Sequence, residues 1–463
     1  MTKSIVPGAV LVLLSGCNFT PAYTRPAAPV PGAWGGSDGP TKADAPRAAN
    51  LGWQEYFTNP GLRDTIGLAL ANNRDVRVAA LNVEKTGAAY GIERAGLYPT
   101  LGVSASGQQY RLPSSMAKLG GPMTVKEDTI TFGVLSWELD FFGRIRSLSE
   151  QARQQYLASE QARVAAQLAL VASVAQQYLA YAADSEALQI AQSTVATQKA
   201  YAELVAKSYQ LGIDSELAFR QAQSQVEAAR ADVARFRGLV AADQNALDLL
   251  VGMSVPARIL PRDLDSAGEL RDVSAGLSSE VLLGRPDILA AEYQLKAANA
   301  NIGAARAAFF PSVSLTGGIG TMSPQLSQLF GAGTGTWSFT PQITVPLFAG
   351  GALRAGLRVS EISRDIAVAQ YETAIQSAFR EVSDGLVRRA ALADQLEAQR
   401  ALLDSLNAAF SLSELRYEQG LDGYLNVLVA QQSLYGARQG IVATRLARQS
   451  NQVTLFKALG GRW

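Results

Sequence analysis

The chain has 463 residues and a net charge of +1, with Lys plus Arg at 41, Asp plus Glu at 40, no histidine and a single cysteine. That balance offers no basic field for a phosphate backbone, which argues against nucleic acid as a partner. The missing imidazole excludes His-based triads and His metal sites, leaving only carboxylate, Lys or Tyr chemistry to any enzyme.

The N-terminus reads as a processed segment. Lys3 precedes an apolar run at residues 5–14, too short to span a bilayer, and Leu14-Ser15-Gly16-Cys17 follows. This tetrapeptide resembles a bacterial lipobox. The resemblance implies a signal peptide at 1–16, cleaved before Cys17, whose thiol and new amine are then acylated. Several acyl chains anchor stably where one holds only marginally. Asn18, rather than Asp, implies by the lipoprotein sorting rule the outer membrane. Residues 17–60 form the lipid-anchored linker, punctuated by Pro21, Pro26, Pro29, Pro31 and Pro40, a composition that stays extended. Trp34, Trp53, Tyr56 and Phe57 are expected to pin it to the body.

From residue 73 onward the sequence runs twice, 73–252 and then 285–460. Asn73-Arg74-Asp75-Val76 aligns with Arg285-Pro286-Asp287-Ile288, and Gly91, Arg94 and Pro99 align with Gly303, Arg306 and Pro311 at one constant offset. Further on, Tyr209, Gly212, Asp214 and Gly252 recur as Tyr417, Gly420, Asp422 and Gly460. A repeat of this period makes each half a structural unit completed by its neighbour.

Each copy has the same order. A short helix comes first, 74–97 within segment 61–98 and 286–309 within segment 285–310. Two strands follow, in 99–142 and in 311–348. Leu101, Val103 and Ala105 alternate with small or polar residues, as do Ile130, Phe132 and Val134 before Trp137, then Val313, Leu315 and Ile319, then Trp337, Phe339 and Ile343. Period-two segments of about ten residues with aromatic ends are the signature of transmembrane β-strands. The stretches between them, 111–127 and 321–336, read as long exterior loops.

Residues 143–252 and 349–463 then supply the helices. No Gly or Pro occurs from Arg144 to Leu211, and apolar or small residues recur in alternating steps of four and three. At ~1.5 Å per residue this helix is roughly 100 Å long. Its second copy, 357–419, is interrupted in composition only by Gly385. Both end at a glycine reversal, Gly212 or Gly420, before a return helix at 215–251 or 424–459. A connector, 253–284, joins the copies.

Four strands cannot close a barrel, and an open edge in lipid leaves backbone groups unpaired at several kcal/mol each. The chain must oligomerise. Two copies would give eight strands with a filled interior; three give twelve and room for a lumen.

With the duplicated strand–helix order, the paired tips and the lipobox together, essentially the whole mature chain resembles the outer-membrane factors of the TolC and OprM type, lipoprotein ducts of tripartite RND efflux systems. The resemblance implies a mixed α and β membrane protein, a trimeric 12-stranded β-barrel with four strands per chain, continuous with a long α-helical barrel. It implies a homotrimer in outer-membrane lipid, a periplasmic adaptor (membrane fusion) protein and an inner-membrane RND pump as partners, and passive export of drugs or other small solutes. A duct for type I protein secretion shares the fold and is the alternative; a purely structural coiled-coil lipoprotein would leave the alternating strands unexplained.

By the same resemblance the helix tips are the periplasmic aperture and the adaptor-docking ends. Docking then falls to Leu211, Gly212, Ile213, Gly420 and Leu421. The gate falls to Tyr417, Leu425, Asn426 and Val429. Relatives of the OprM type carry an aspartate where this chain has Val429 and often an arginine where it has Gln432, so closure is expected to rest on neutral contacts. No enzyme, cofactor or metal site is read. Asp140, Glu227 and Asp384 form no paired constellation, and the run Gly331, Gly333, Gly335 precedes a strand instead of following one, unlike a phosphate loop.

Overall fold

A computed structural model describes residues 18–34, 51–115, 123–271 and 279–461. Cys17 and the signal segment 1–16 lie outside the described residues. In chain order come helices α1 (Trp53–Tyr56), α2 (Pro60–Asn72) and α3 (Arg74–Ala95), strands β1 (Leu101–Leu112) and β2 (Met123–Leu139), the long helix α4 (Arg144–Gln210) and its return α5 (Glu216–Val251). After the short α6 (Leu264–Ala267), the second copy supplies α7 (Pro286–Ala307), β3 (Ser312–Ser323), β4 (Gly335–Thr344), α8 (Ala352–Glu418) and α9 (Tyr424–Ala458).

Three details differ from the sequence reading. Helix α2 was not expected as a separate element. Its start has a clear local cause, because Asn59 accepts a hydrogen bond from the Leu62 amide at 2.8 Å with Pro60 in the first helical position. Strand β2 begins at Met123, inside the stretch expected to be loop, and pairs with β1 all the way to Leu112. Helix α8 passes through Gly385 without a break. A Cβ there would stand 2.6 Å from a Leu455 methyl, so the glycine permits a close helix–helix approach.

The described chain forms two compact units. The first gathers residues up to Ala27 with Asn82–Glu160 and Ala290–Tyr371 and contains the sheet, in order β1-β2-β3-β4 with every pair antiparallel. The registers align side chains in rows that cross all four strands. Val103, Phe132, Ile319 and Trp337 form one row, and Leu101, Val134, Gly317 and Phe339 the next. A bulge between Val134 and Trp137 keeps the pattern in phase, so that Trp137, Leu315 and Pro341, then Leu139, Val313 and Ile343, continue the same face. Rows on the opposite face are small or polar, as in Gly102-Gly133-Gly318-Ser338 and Ser104-Thr131-Gly320-Thr336. Four apolar rows at two residues per step reach about 20 Å along the strands. Val103, Phe132, Ile319, Trp337 and Phe339 are exposed. One face of this sheet is thus apolar and uncovered while the other is polar, the reverse of a sheet that lies over a water-soluble core.

The N-terminal strap belongs to this unit and is bound rather than loose. Phe19 stacks on Phe310 with centroids 4.4 Å apart, and Phe310 stacks on Phe142 at 5.1 Å. Asn299 donates to the Pro21 carbonyl at 2.8 Å. Glu292, buried on α7, accepts from Tyr23, from Arg25 at 2.6 Å and from Lys296 at 2.9 Å. Burial opposes its ionisation, yet the hydrogen bonds from Lys296 and Arg25 hold its carboxyl below the ordinary value.

In the second unit the duplication is visible as chemistry. Asn73, before α3, donates to the Leu250 carbonyl at 2.8 Å, near the end of the first return helix. Its counterpart Arg285 donates to the Ala458 carbonyl at 2.7 Å, at the end of the second. Both satisfy helix C-terminal carbonyls that have no partner within the helix. Three of the four expected aromatic pins make such contacts: Trp34 stacks on Phe379, and Tyr56 stacks on Phe456 with Phe57 edge-on beside it. No helix among the described residues is long and apolar enough to cross a membrane.

Candidate functional site

The ends of α4 and α8 are built alike. In each the chain turns through a glycine with positive φ, 78° at Gly212 and 71° at Gly420. The Ile213 amide bonds back to the Ser208 carbonyl and the Leu421 amide to the Arg416 carbonyl, both at 2.9 Å, which satisfies helix-end carbonyls in the manner of a left-handed cap. Nothing lies within 4 Å of a Cβ built on either glycine. Only the backbone conformation demands glycine there, not crowding. Ser215 then caps α5 by accepting from the Ala218 amide at 3.2 Å.

The two tips share one small core. Val205, Ala222, Tyr424, Val427 and Leu428 are buried together, with Tyr201, Phe219 and Tyr417 packed around them. Tyr424 sits between the other two tyrosines, 6.2 Å from Tyr201 and 5.8 Å from Tyr417 by ring centroid. The Tyr201 hydroxyl donates to Glu414, and the Tyr417 hydroxyl to Asp214 at 3.4 Å. Burial, then the neighbouring Tyr417, pushes Tyr424 up to about 12. Burial with Glu414 raises Tyr201, and burial with Asp214 raises Tyr417. All three therefore stay neutral near neutral pH, with Tyr201 and Tyr417 as donors. Farther along, Gln432 on α9 donates to Gln225 on α5 at 2.9 Å, and Tyr435 to Asp232 at 2.9 Å.

Of the residues singled out from sequence, Tyr417 joins this core. Leu425, Asn426 and Val429 do not: they lie on the open side of α9, with Leu425 56% and Val429 55% exposed. The five expected at the docking end stay together at the two reversals, and the apolar ones project into solvent, Leu211 at 76%, Ile213 at 75% and Leu421 at 62%. Arg416 donates to Asp422 at 2.6 and 3.2 Å, and the bond from Arg416 holds the Asp422 carboxyl below its ordinary value. The tip is therefore not built of neutral contacts alone. The signal for these acids was present, because Asp214 and Asp422 stand two residues after the glycine in both copies.

The helix tips thus combine a tyrosine–carboxylate core with a fringe of exposed aliphatic side chains, and the sheet presents an apolar wall. The outer membrane efflux protein family matches residues 65–253 and 277–461, the two repeats almost end to end. The toluene efflux pump outer membrane protein TtgC of Pseudomonas putida is 45% identical over 467 residues, covering 100% of this chain and 96% of that protein. The cation efflux system protein CusC of Escherichia coli O157:H7 is 41% identical over 466 residues, covering 99% and 98%. Among solved structures, the open state of the Neisseria gonorrhoeae MtrE outer membrane channel superposes with a TM-score of 0.87 at 38% identity, covering 96% of this chain and 98% of that one.

Proposed function

The chain belongs to the outer membrane efflux protein family, and from that premise we propose that three copies close into one duct through which drugs or other small solutes leave the cell. The observation that carries this reading is the sheet. Its apolar rows face outward, its Gly, Ser and Thr rows face the opposite way, and β1 and β4 each keep an unpaired edge. In hydrocarbon those edges have no water to satisfy them, so β1 must pair with β4 of another copy. Twelve strands leave a lumen, lined here by hydroxyls and bare backbone.

The same operation closes the long helices into an α-helical barrel that extends into the periplasm. Acylated Cys17 anchors the chain, and the Phe19–Phe310–Phe142 stack holds the strap two residues later beside the ends of β2 and β3. The exposed Leu211, Ile213 and Leu421, together with the glycine reversals, dock a periplasmic adaptor, which connects the duct to an inner-membrane RND pump that supplies the energy. Tyr417, Leu425, Asn426 and Val429 line the aperture. Relatives named for toluene and for cations have similar sequences over nearly the whole chain. A wide hydroxyl-lined lumen selects little among such solutes. Type I protein secretion is not proposed, because the full-length relatives are named as efflux components.

Cysteine pairs placed on the two edge strands test the closure. Ser104→Cys on β1, combined in turn with Ser338→Cys, Thr340→Cys or Gln342→Cys on β4, should give one register that oxidises to a covalent trimer on a denaturing gel. Dimers only, or no cross-link in any register, would overturn the twelve-stranded reading.

A further inference from the structure

The two faces of the sheet exchange character at its outer end, away from the helices that enter and leave it. Ser323, the last residue of β3, pairs with Asp128, and β1 and β2 run on past that level to the Leu112–Met123 pair. Counted by twos from the apolar rows, one face of this extension carries Gly107 with Asp128, Gln109 with Lys126 and Arg111 with Thr124. Counted by twos from the Gly, Ser and Thr rows, the other carries Gln108 with Glu127 and then two apolar pairs, Tyr110 with Val125 and Leu112 with Met123. Tyr110 is 47% and Met123 45% exposed.

The apolar face thus turns charged, and the polar face ends in an apolar cluster. A strand that leaves hydrocarbon for water requires the first change. It does not require the second, because a strand that rises from a wet lumen meets no hydrocarbon on its inner side. Four apolar side chains there are stabilised only when something covers them. Beyond Asp128 the hairpin has two strands alone, an arrangement of marginal stability in water.

Three-fold closure supplies the partner. A side chain that faces the lumen faces the axis, and the surfaces at the same height across that axis are the same residues of the other two copies. A ring of twelve strands at ~4.8 Å spacing and about 40° tilt is about 24 Å across. Upright walls would keep the clusters apart, so contact requires the hairpins to lean inward. A two-stranded ribbon twists more than a wide sheet and can do so.

We propose that the outer ends of the three β1–β2 hairpins lean together through Tyr110, Leu112, Met123 and Val125 and close the exterior mouth with an apolar constriction, distinct from the helix tips. The proposal rests on the three-copy reading of the sheet. Such a constriction bars hydrated ions by dewetting. An apolar solute opens it, because the solute replaces the contacts between copies with its own.

The test uses the full-length chain in intact cells. Tyr110→Cys and Leu112→Cys, each made singly, should oxidise to disulfide-linked dimers on a denaturing gel, because only a residue near a three-fold axis meets its own copy. Thr124→Cys, on the opposite face of the same tip, should stay monomeric. Thr131→Cys lies on the lumen face about 20 Å below Tyr110 along the strands. A membrane-impermeant maleimide added outside should label it at least tenfold more slowly than Thr124→Cys, with labelling counted in excess of the parent chain that carries Cys17 alone. Adding Tyr110→Ser/Leu112→Ser should remove that difference while the β1–β4 cross-link to a trimer still forms. Monomers at both tip positions, or fast labelling of Thr131→Cys behind the unaltered hairpins, would overturn the closure and leave the twelve-stranded ring standing. Slow labelling that the double serine variant does not relieve would overturn it too, since the apolar cluster would not be what bars the mouth. A Thr124→Cys that the outside reagent never reaches would overturn the orientation of the sheet, and this proposal with it.

Discussion

The Tyr417 hydroxyl lies 3.4 Å from the Asp214 carboxylate and so ties the end of one repeat's long helix to the reversal of the other. The bond is long for O–H···O, and under the proposed duct reading it is a contact that would be lost if the two tips moved apart. Tyr417→Phe should therefore cost no more than about 1 kcal/mol of stability while raising the open probability of single trimers in planar bilayers. Tyr201→Phe, which removes the contact to Glu414, should raise it as well. Identical recordings from wild type and both variants would remove these tyrosines from the gate.

Val429 projects from the open side of α9 and is 55% exposed. In a trimer three such residues would form a ring, and three carboxylates at that level would bind multivalent cations. Val429→Asp should make conductance sensitive to submillimolar trivalent cations, with wild type insensitive. Strong block of wild type from the periplasmic side would locate a native acidic ring, with Asp214 or Asp422 as its source.

Gly212→Val and Gly420→Val force a β-branched side chain into positive φ at 78° and 71°. The cost is about 1 kcal/mol or more and falls on the reversal alone, since no neighbour crowds either position. Trimer yield should be normal and efflux lost when adaptor and pump are co-expressed. Wild-type resistance in both variants would show that the tips do not dock the adaptor.

Asp184 on α4 sits beside Asp243 on α5, and burial, then the contact with Asp243, pushes its carboxyl up to about 6. The folded state thus holds this proton more tightly than the unfolded chain does. Its contribution is favourable at low pH and is lost as pH rises from about 4 to about 6. Asp184→Asn should melt about 2 °C higher than wild type at pH 7.5, and the difference should close by pH 4. An equal shift at both pH values would assign the effect to packing instead of ionisation.

Cys17 lies beyond the described residues, and intact-mass spectrometry of the purified protein addresses it directly. The mature chain should begin at Cys17 and carry acyl mass that is absent from Cys17→Ser. A wild-type N-terminus without lipid would remove the anchor from the proposal.

The sequence by itself determined what short-range physics controls. Helix lengths follow from the absence of Gly and Pro between Arg144 and Leu211, the reversals from Gly212 and Gly420, and the strands from two-residue alternation around Val103, Phe132, Ile319 and Trp337. It also carried the duplication, because matched landmarks need no coordinates. Tertiary structure alone decided which distant positions meet. The register that lines those four residues into one exposed row is a property of three strand pairings, and periodicity within a strand does not encode its partner. Asn73 and Arg285 look unrelated as residues, yet each reaches the last turn of its own return helix, since an amide and a guanidinium both satisfy a carbonyl. The partners of the tip acids follow the same rule. Asp214 and Asp422 occupy equivalent places in the repeats, but one accepts from a tyrosine on the other repeat and the other from an arginine at the end of the long helix just before it, a difference that only the fold creates.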